Sequence, residues 1–146
     1  MKPTRFFLLK GNENMIDHVK SIRELGCIYW KKSRNRNLKV GDICYLYLKG
    51  EGHFQVRYRL EVVDVSSARN DRSCWQTDFI ADNDCYKLVP TSEMYIGDKL
   101  SLDTLEEIGI SRYVLFKELN KTQEDYLKEF FRKKGNGPLF LSIFRK

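Results

Sequence analysis

From residue 55 to residue 62 the chain alternates strictly, with Val56, Tyr58, Leu60 and Val62 interleaved by Gln55, Arg57, Arg59 and Glu61. That period of two predicts a strand with one buried face. Just before it, residues 43–48 (Ile-Cys-Tyr-Leu-Tyr-Leu) are apolar or aromatic throughout, which predicts a strand covered on both faces. Lys49-Gly50-Glu51-Gly52 supplies the glycines of a hairpin loop between the two, and Gly41-Asp42 a turn into the first. Residues 5–10 (Arg-Phe-Phe-Leu-Leu-Lys) read as a short buried strand stopped by Gly11-Asn12. Asn14 then caps a helix whose apolar face is Met15, Val19 and Ile22, and Gly26 ends it.

The second half is less periodic. Residues 85–89 predict a strand interrupted by Pro90, and residues 93–96 another short one. Ser101 caps a brief helix with Leu102, Leu105 and Ile108 inward, closed by Gly109. Residues 113–119 fit no single pattern. Thr122 caps a last helix with Glu124 and Asp125 in its first turn and basic residues at its end, which complements the helix dipole. Its Tyr126, Leu127, Phe130 and Phe131 would face the sheet, and residues 139–144 would form an edge strand or a docked tail. Five or six short strands with helices near both ends predict an α+β fold built on a small β-barrel or strongly bent sheet with flanking helices.

Composition narrows the class. A length of 146 residues fits one domain, 1–146, and hydrophobic and charged contents of 42% and 32% are ordinary for a soluble globular protein. No apolar run approaches the roughly 20 residues of a bilayer span, and the N-terminal apolar segment is too short for a secretory signal, so a cytoplasmic protein without a membrane partner is expected. Cys27, Cys44, Cys74 and Cys85 contain no CxxC pair, and three sit in the apolar or aromatic settings of buried thiols, so neither a metal nor any other cofactor is predicted.

The net charge of +6 favours an anionic partner, and its distribution says more than its size. Residues 26–40 carry Lys31, Lys32, Arg34, Arg36 and Lys39 with no acidic residue, beside Trp30; Arg132-Lys133-Lys134 ends the last helix. A basic strip interleaved with aromatics is the footprint expected of nucleic-acid binding. Trp75, in the polar stretch 66–82, is either a plug or a contact. Tyr45 and Tyr47 share a strand face, with Tyr47 the one nearer the hairpin. His18 reads as a surface residue and His53 as a turn residue. With two distant histidines and no glycine-rich phosphate loop, GxSxG or HExxH, an enzyme is not predicted.

The order of these pieces resembles a known family, the EVE and YTH-like branch of the PUA superfamily. The opening strand running into Lys10-Gly11-Asn12 resembles the YTH start, with Gly11 where serine is usual. Ile28-Tyr29-Trp30, a polar loop and the Gly41-Asp42 turn into a tyrosine-rich strand resemble the EVE pattern. The likeness runs from Arg5 to about Asp64 and implies a PUA-like barrel that binds a modified base flipped into an aromatic cage. It implies Trp30 as the first cage wall, Trp75 as the second and Asn12 on the base edge; Tyr47 is added as lining from its strand position. Lys31, Lys32, Arg34, Arg36 and Lys39 would neutralise flanking phosphates. The expected function is therefore non-catalytic binding of DNA or RNA carrying a methylated base, either alone or as the targeting module of a modification-dependent restriction system with a nuclease or ATPase partner or fused domain. The alternative is a protein-interaction or small-ligand-binding barrel of the same fold.

Overall fold

A computed structural model describes residues 4–33, 37–50 and 52–132. Strand β1 (Phe6–Lys10) is followed by helix α1 (His18–Leu25), β2 (Ile28–Lys31), β3 (Ile43–Leu48), β4 (Gln55–Ser67), β5 (Cys85–Pro90), α2 (Leu102–Glu107), β6 (Phe116–Glu118) and α3 (Lys121–Lys128). The strands form one sheet in the order β2-β5-β4-β3-β1-β6. It is mixed, because β1 runs parallel to β3 while the other pairs are antiparallel.

The α+β arrangement is as expected, but the small β-barrel or strongly bent sheet is not. Closure would need β2 to pair with β6, and these strands end opposite sides of an open sheet with no ladder between them among the described residues. Strand β3, buried at every position, feeds two separate cores rather than one barrel interior. On one face Phe7, Leu9, Cys44, Leu46, Leu48, Tyr58, Leu60 and Leu88 pack with Val19 and Ile22 of α1. On the other, Leu8, Ile43, Tyr45, Tyr47 and Val56 pack with Leu105 of α2 and Leu127 of α3. The sheet is the middle of three layers.

Alternation in β4 is broken where the sequence shows no break. Leu46 lies opposite Tyr58 but Tyr47 opposite Val56, so Arg57 is an extra residue, a β-bulge. A one-residue slip exchanges faces. Val56 therefore joins the α2 and α3 side, while Tyr58 and Leu60 stay with α1. Arg57 is itself buried and donates from its guanidinium to the carbonyls of Lys49, His53 and Tyr95, which pins the hairpin.

Local chemistry explains the other boundary shifts. Helix α1 starts at Asp17, whose side chain accepts from Lys20 N at 3.0 Å, rather than at Asn14. Asn120, not Thr122, caps α3, because it forms a reciprocal capping box with Gln123. Residues 93–96 are not a strand, Phe116–Glu118 is, and the expected element at 139–144 lies outside the described residues. Gly26 and Gly109 do end their helices, at φ 74° and 91°.

Candidate functional site

The end of β1, the segment before α1, strand β2 and the long connection after β4 meet around a cleft of about 310 Å³. Lys10, Asn12, Ile16, His18, Trp30 and Trp75 are among its lining residues.

Each wall has its own support. Trp30 sits on β2, half-buried, opposite Tyr86 of β5, and its ring lies 5.8 Å from the His18 imidazole at 35°. Trp75 follows a 3-10 turn at Arg72–Cys74. That turn is stitched to the start of α1: Asp17 N donates to Cys74 O at 2.7 Å, Gln76 N to Met15 O at 2.7 Å, and Ile16 and Trp75 form a β-bridge. The Trp75 ring is fixed further by Asp71, whose Oδ1 accepts from Nε1 at 3.0 Å, and by the Arg69 guanidinium 5.0 Å from the ring centroid. Arg69 and Asp71 are themselves ion-paired at 3.1 Å, with side chains 5% and 1% exposed. A buried pair of this kind orients what it touches.

The structure brings Asn12, Trp30, Lys31 and Trp75 to this cleft. It does not bring Tyr47 there. Alternation along β3 puts Tyr47 with Ile43 and Tyr45 on the α2 and α3 face, where it is buried and stacks on Phe54 at 5.7 Å. Asn12 is exposed, and its Oδ1 already accepts from Asn14 N at 3.1 Å. Among the phosphate-contact candidates, Lys31 is exposed on the cleft, whereas Lys32 is paired with Asp84 at 2.7 Å. Lys39 lies exposed before the turn into β3, away from the cleft lining. Arg34 and Arg36 lie outside the described residues, as do Lys133 and Lys134 of the second basic cluster.

Three participants have no counterpart in the sequence-based expectation. His18, read as a surface residue, is 3% exposed and lines the cleft, with Nδ1 lacking any hydrogen-bond partner. Burial and the nearby Arg69 charge hold its pKa down at about 4 against the weaker opposing pull of Asp17, so the imidazole is neutral at physiological pH. Arg69 and Asp71 carry Trp75, and only their proximity in sequence to that ring hinted at it. Gly11 adjoins this group: a Cβ there would fall 2.5 Å from Leu48 Cδ2 and 3.1 Å from His18 Nδ1. The space beside Gly11 is filled by neighbouring side chains.

No group of three or more His, Cys, Asp or Glu residues that could hold a metal ion occurs among the described residues. No helix among them is long and apolar enough to cross a membrane. A second aromatic group, Tyr45, Tyr95, Tyr126, Phe130 and Phe131, stacks on the α3 side of the sheet, with Tyr45 and Phe131 in its core.

No protein-family model matches the sequence, and no curated protein matches it. Solved structures do match. The chain is similar to the Pho92 YTH domain, solved in complex with m6A, at a TM-score of 0.56 and 15% identity over 90% of this chain and 85% of that one. It is similar to human THYN1, solved in complex with DNA containing 5-methylcytosine, at a TM-score of 0.54 and 11% identity over 86% and 96% of the two chains. A hypothetical protein from Leishmania major gives a TM-score of 0.52 at 16% identity over 87% and 94%. The chain has the fold of these proteins. At such identities the likeness is one of fold alone.

Proposed function

We propose that this chain is a non-catalytic reader of nucleic acid that takes a modified, methylated base into the cleft between Trp30 and Trp75, as a member of the EVE and YTH-like group. The observation that carries the reading is the cleft itself: two tryptophans from distant segments line it, each held by its own contacts, with Lys31 exposed beside them. A methylated base offers a π-face and an apolar methyl but few distinctive polar groups, so aromatic walls with one or two edge hydrogen bonds form an efficient recognition set. Two proteins of the same fold were solved with a methylated base or with DNA containing one, which supports the reading. Its biological setting would be the targeting part of a modification-dependent restriction system in the cytoplasm, with a nuclease or ATPase supplied by a partner or a fused domain.

The test is a fluorescence titration of wild type and Trp30→Ala with matched oligonucleotides, DNA and RNA, unmodified or carrying one methylated adenine or cytosine. Stacking on an aromatic contributes about 1 to 3 kcal/mol per base, so Trp30→Ala should weaken binding of the preferred modified oligonucleotide by roughly 5- to 150-fold. Equal binding to every oligonucleotide, insensitive to Trp30→Ala, would leave only a basic surface.

A further inference from the structure

We infer that His18 is the hydrogen-bonding group that reads the polar edge of the base in this cleft, an inference that rests on the cleft being a base site. Its side chain is nine-tenths buried yet unsatisfied: 3% exposed, part of the cleft wall, with Nδ1 free of any partner. Buried polar groups without partners are rare in native proteins, and each one calls for a reason. A ligand that supplies the missing partner is such a reason.

Neighbouring polar groups are already committed. The Asn12 Oδ1 accepts from Asn14 N, Lys10 Nζ donates to Arg112 O at 2.7 Å, and Trp75 Nε1 donates to Asp71. The Arg69 guanidinium is shared between Asp71 and the Tyr29 carbonyl. The His18 Nδ1 has no such bond. Its ring is also placed for the task, beside the Trp30 ring on which a base would stack.

The charge state suits a base rather than a phosphate. Arg69 and Asp17 are the charged groups that act on the imidazole, and Arg69 together with burial keeps it neutral. A neutral imidazole carries one N–H donor and one nitrogen acceptor, whereas an imidazolium only donates. It can therefore meet either the ring nitrogen or the exocyclic amine of an adenine- or cytosine-type edge. Gly11 backs the ring closely, since a Cβ there would lie 3.1 Å from Nδ1.

The experiment uses the full chain and fluorescein-labelled 12-mers, unmodified or carrying a single N6-methyladenine or 5-methylcytosine. His18→Phe keeps a flat ring and removes both hydrogen-bonding nitrogens. On the methylated 12-mer that wild type prefers, it should lose at least tenfold in affinity. Because it also removes an unsatisfied buried group, its melting temperature should equal or exceed that of wild type. If phenylalanine overfills the site, His18→Leu, which is smaller and equally unable to hydrogen-bond, is read the same way, and His18→Gln should recover part of the affinity. A folded His18→Phe or His18→Leu protein with wild-type affinity, alongside a Trp30→Ala protein that has lost it, would overturn the role of His18 and leave the base site standing. Failure of wild type to prefer any methylated 12-mer would overturn the base site and this inference with it.

Discussion

Replacing Asp71 by alanine tests whether the second cleft wall is held as described. Asp71 is 1% exposed and serves two partners, the Arg69 guanidinium at 3.1 Å and Trp75 Nε1 at 3.0 Å. Its removal leaves a cation whose side chain is 5% exposed without a counter-charge, and an indole N–H without an acceptor. Breaking a buried pair from one side costs about 3 to 5 kcal/mol, chiefly through the charge left behind. Arg69 keeps its bond to Tyr29 O at 3.2 Å and its contact with the Trp75 ring, which places the expected loss at the lower end. For a domain of this size about 3 kcal/mol lowers the melting temperature by roughly 6 to 12 °C. Asp71→Asn retains an acceptor for Trp75 but not the charge, and should fall between the two. Thermal unfolding followed by circular dichroism gives the stability, and tryptophan emission of the folded proteins reports the freed indole. An Asp71→Ala protein melting within about 2 °C of wild type, with unchanged emission, would show that the network does not position Trp75.

Three further outcomes follow from the same site. Gly11→Ala should destabilise the protein by about 1 to 3 kcal/mol in chemical denaturation, since its Cβ would meet Leu48 Cδ2, which is fully buried, at 2.5 Å. Because the His18 pKa is about 4 when folded and 6.5 when free, the unfolded chain takes up a proton that the folded one refuses as pH falls from about 6.5 to 4. Wild type should lose on the order of 3 kcal/mol across that window from this group, and the pH-stability curve of His18→Phe should lack that component. Lys31→Gln should weaken modified and unmodified oligonucleotides alike and make the log-log salt slope shallower by about 0.7 to 0.9, read by anisotropy across a salt series; a change confined to the modified oligonucleotide would assign Lys31 to base reading instead.

The first sixty residues were the legible part. The uninterrupted apolar run of β3, the glycine hairpin and the buried β1 each have a local signature, Trp30 stood out beside a basic loop, and farther along Trp75 stood out as a ring without a periodic reason to be where it is. What escaped the sequence is non-local. The Arg57 bulge changes no residue type, so nothing in the alternation of β4 announces that Val56 and Tyr58 face opposite ways. His18 looked solvated because its sequence neighbours are charged, yet at the first turn of α1 it points to a cleft made by β2 and by a loop some fifty residues away. The barrel expectation failed for the related reason that one strand buried on both faces serves equally well in a closed or a layered sheet.

Strand β1 is flanked on one side by β3 and on the other by β6, where Phe7 pairs with Glu118. In the order of synthesis, β1 leaves the ribosome before the other strands of this sheet and is thus among the last of them to gain both neighbours. At about 5 to 20 residues per second, some 110 residues of elongation correspond to roughly 6 to 20 s during which one side of Phe6–Lys10 has no strand beside it. An apolar edge exposed for that long invites pairing with another nascent chain. Lys10 and Asn12 hang from the end of this strand, so the cleft also waits for β6 before its floor is anchored. Expression conditions that slow translation or crowd the nascent chain would be felt first as aggregation through β1, and any fragment ending before residue 116 would carry both tryptophans without a settled frame to hold them.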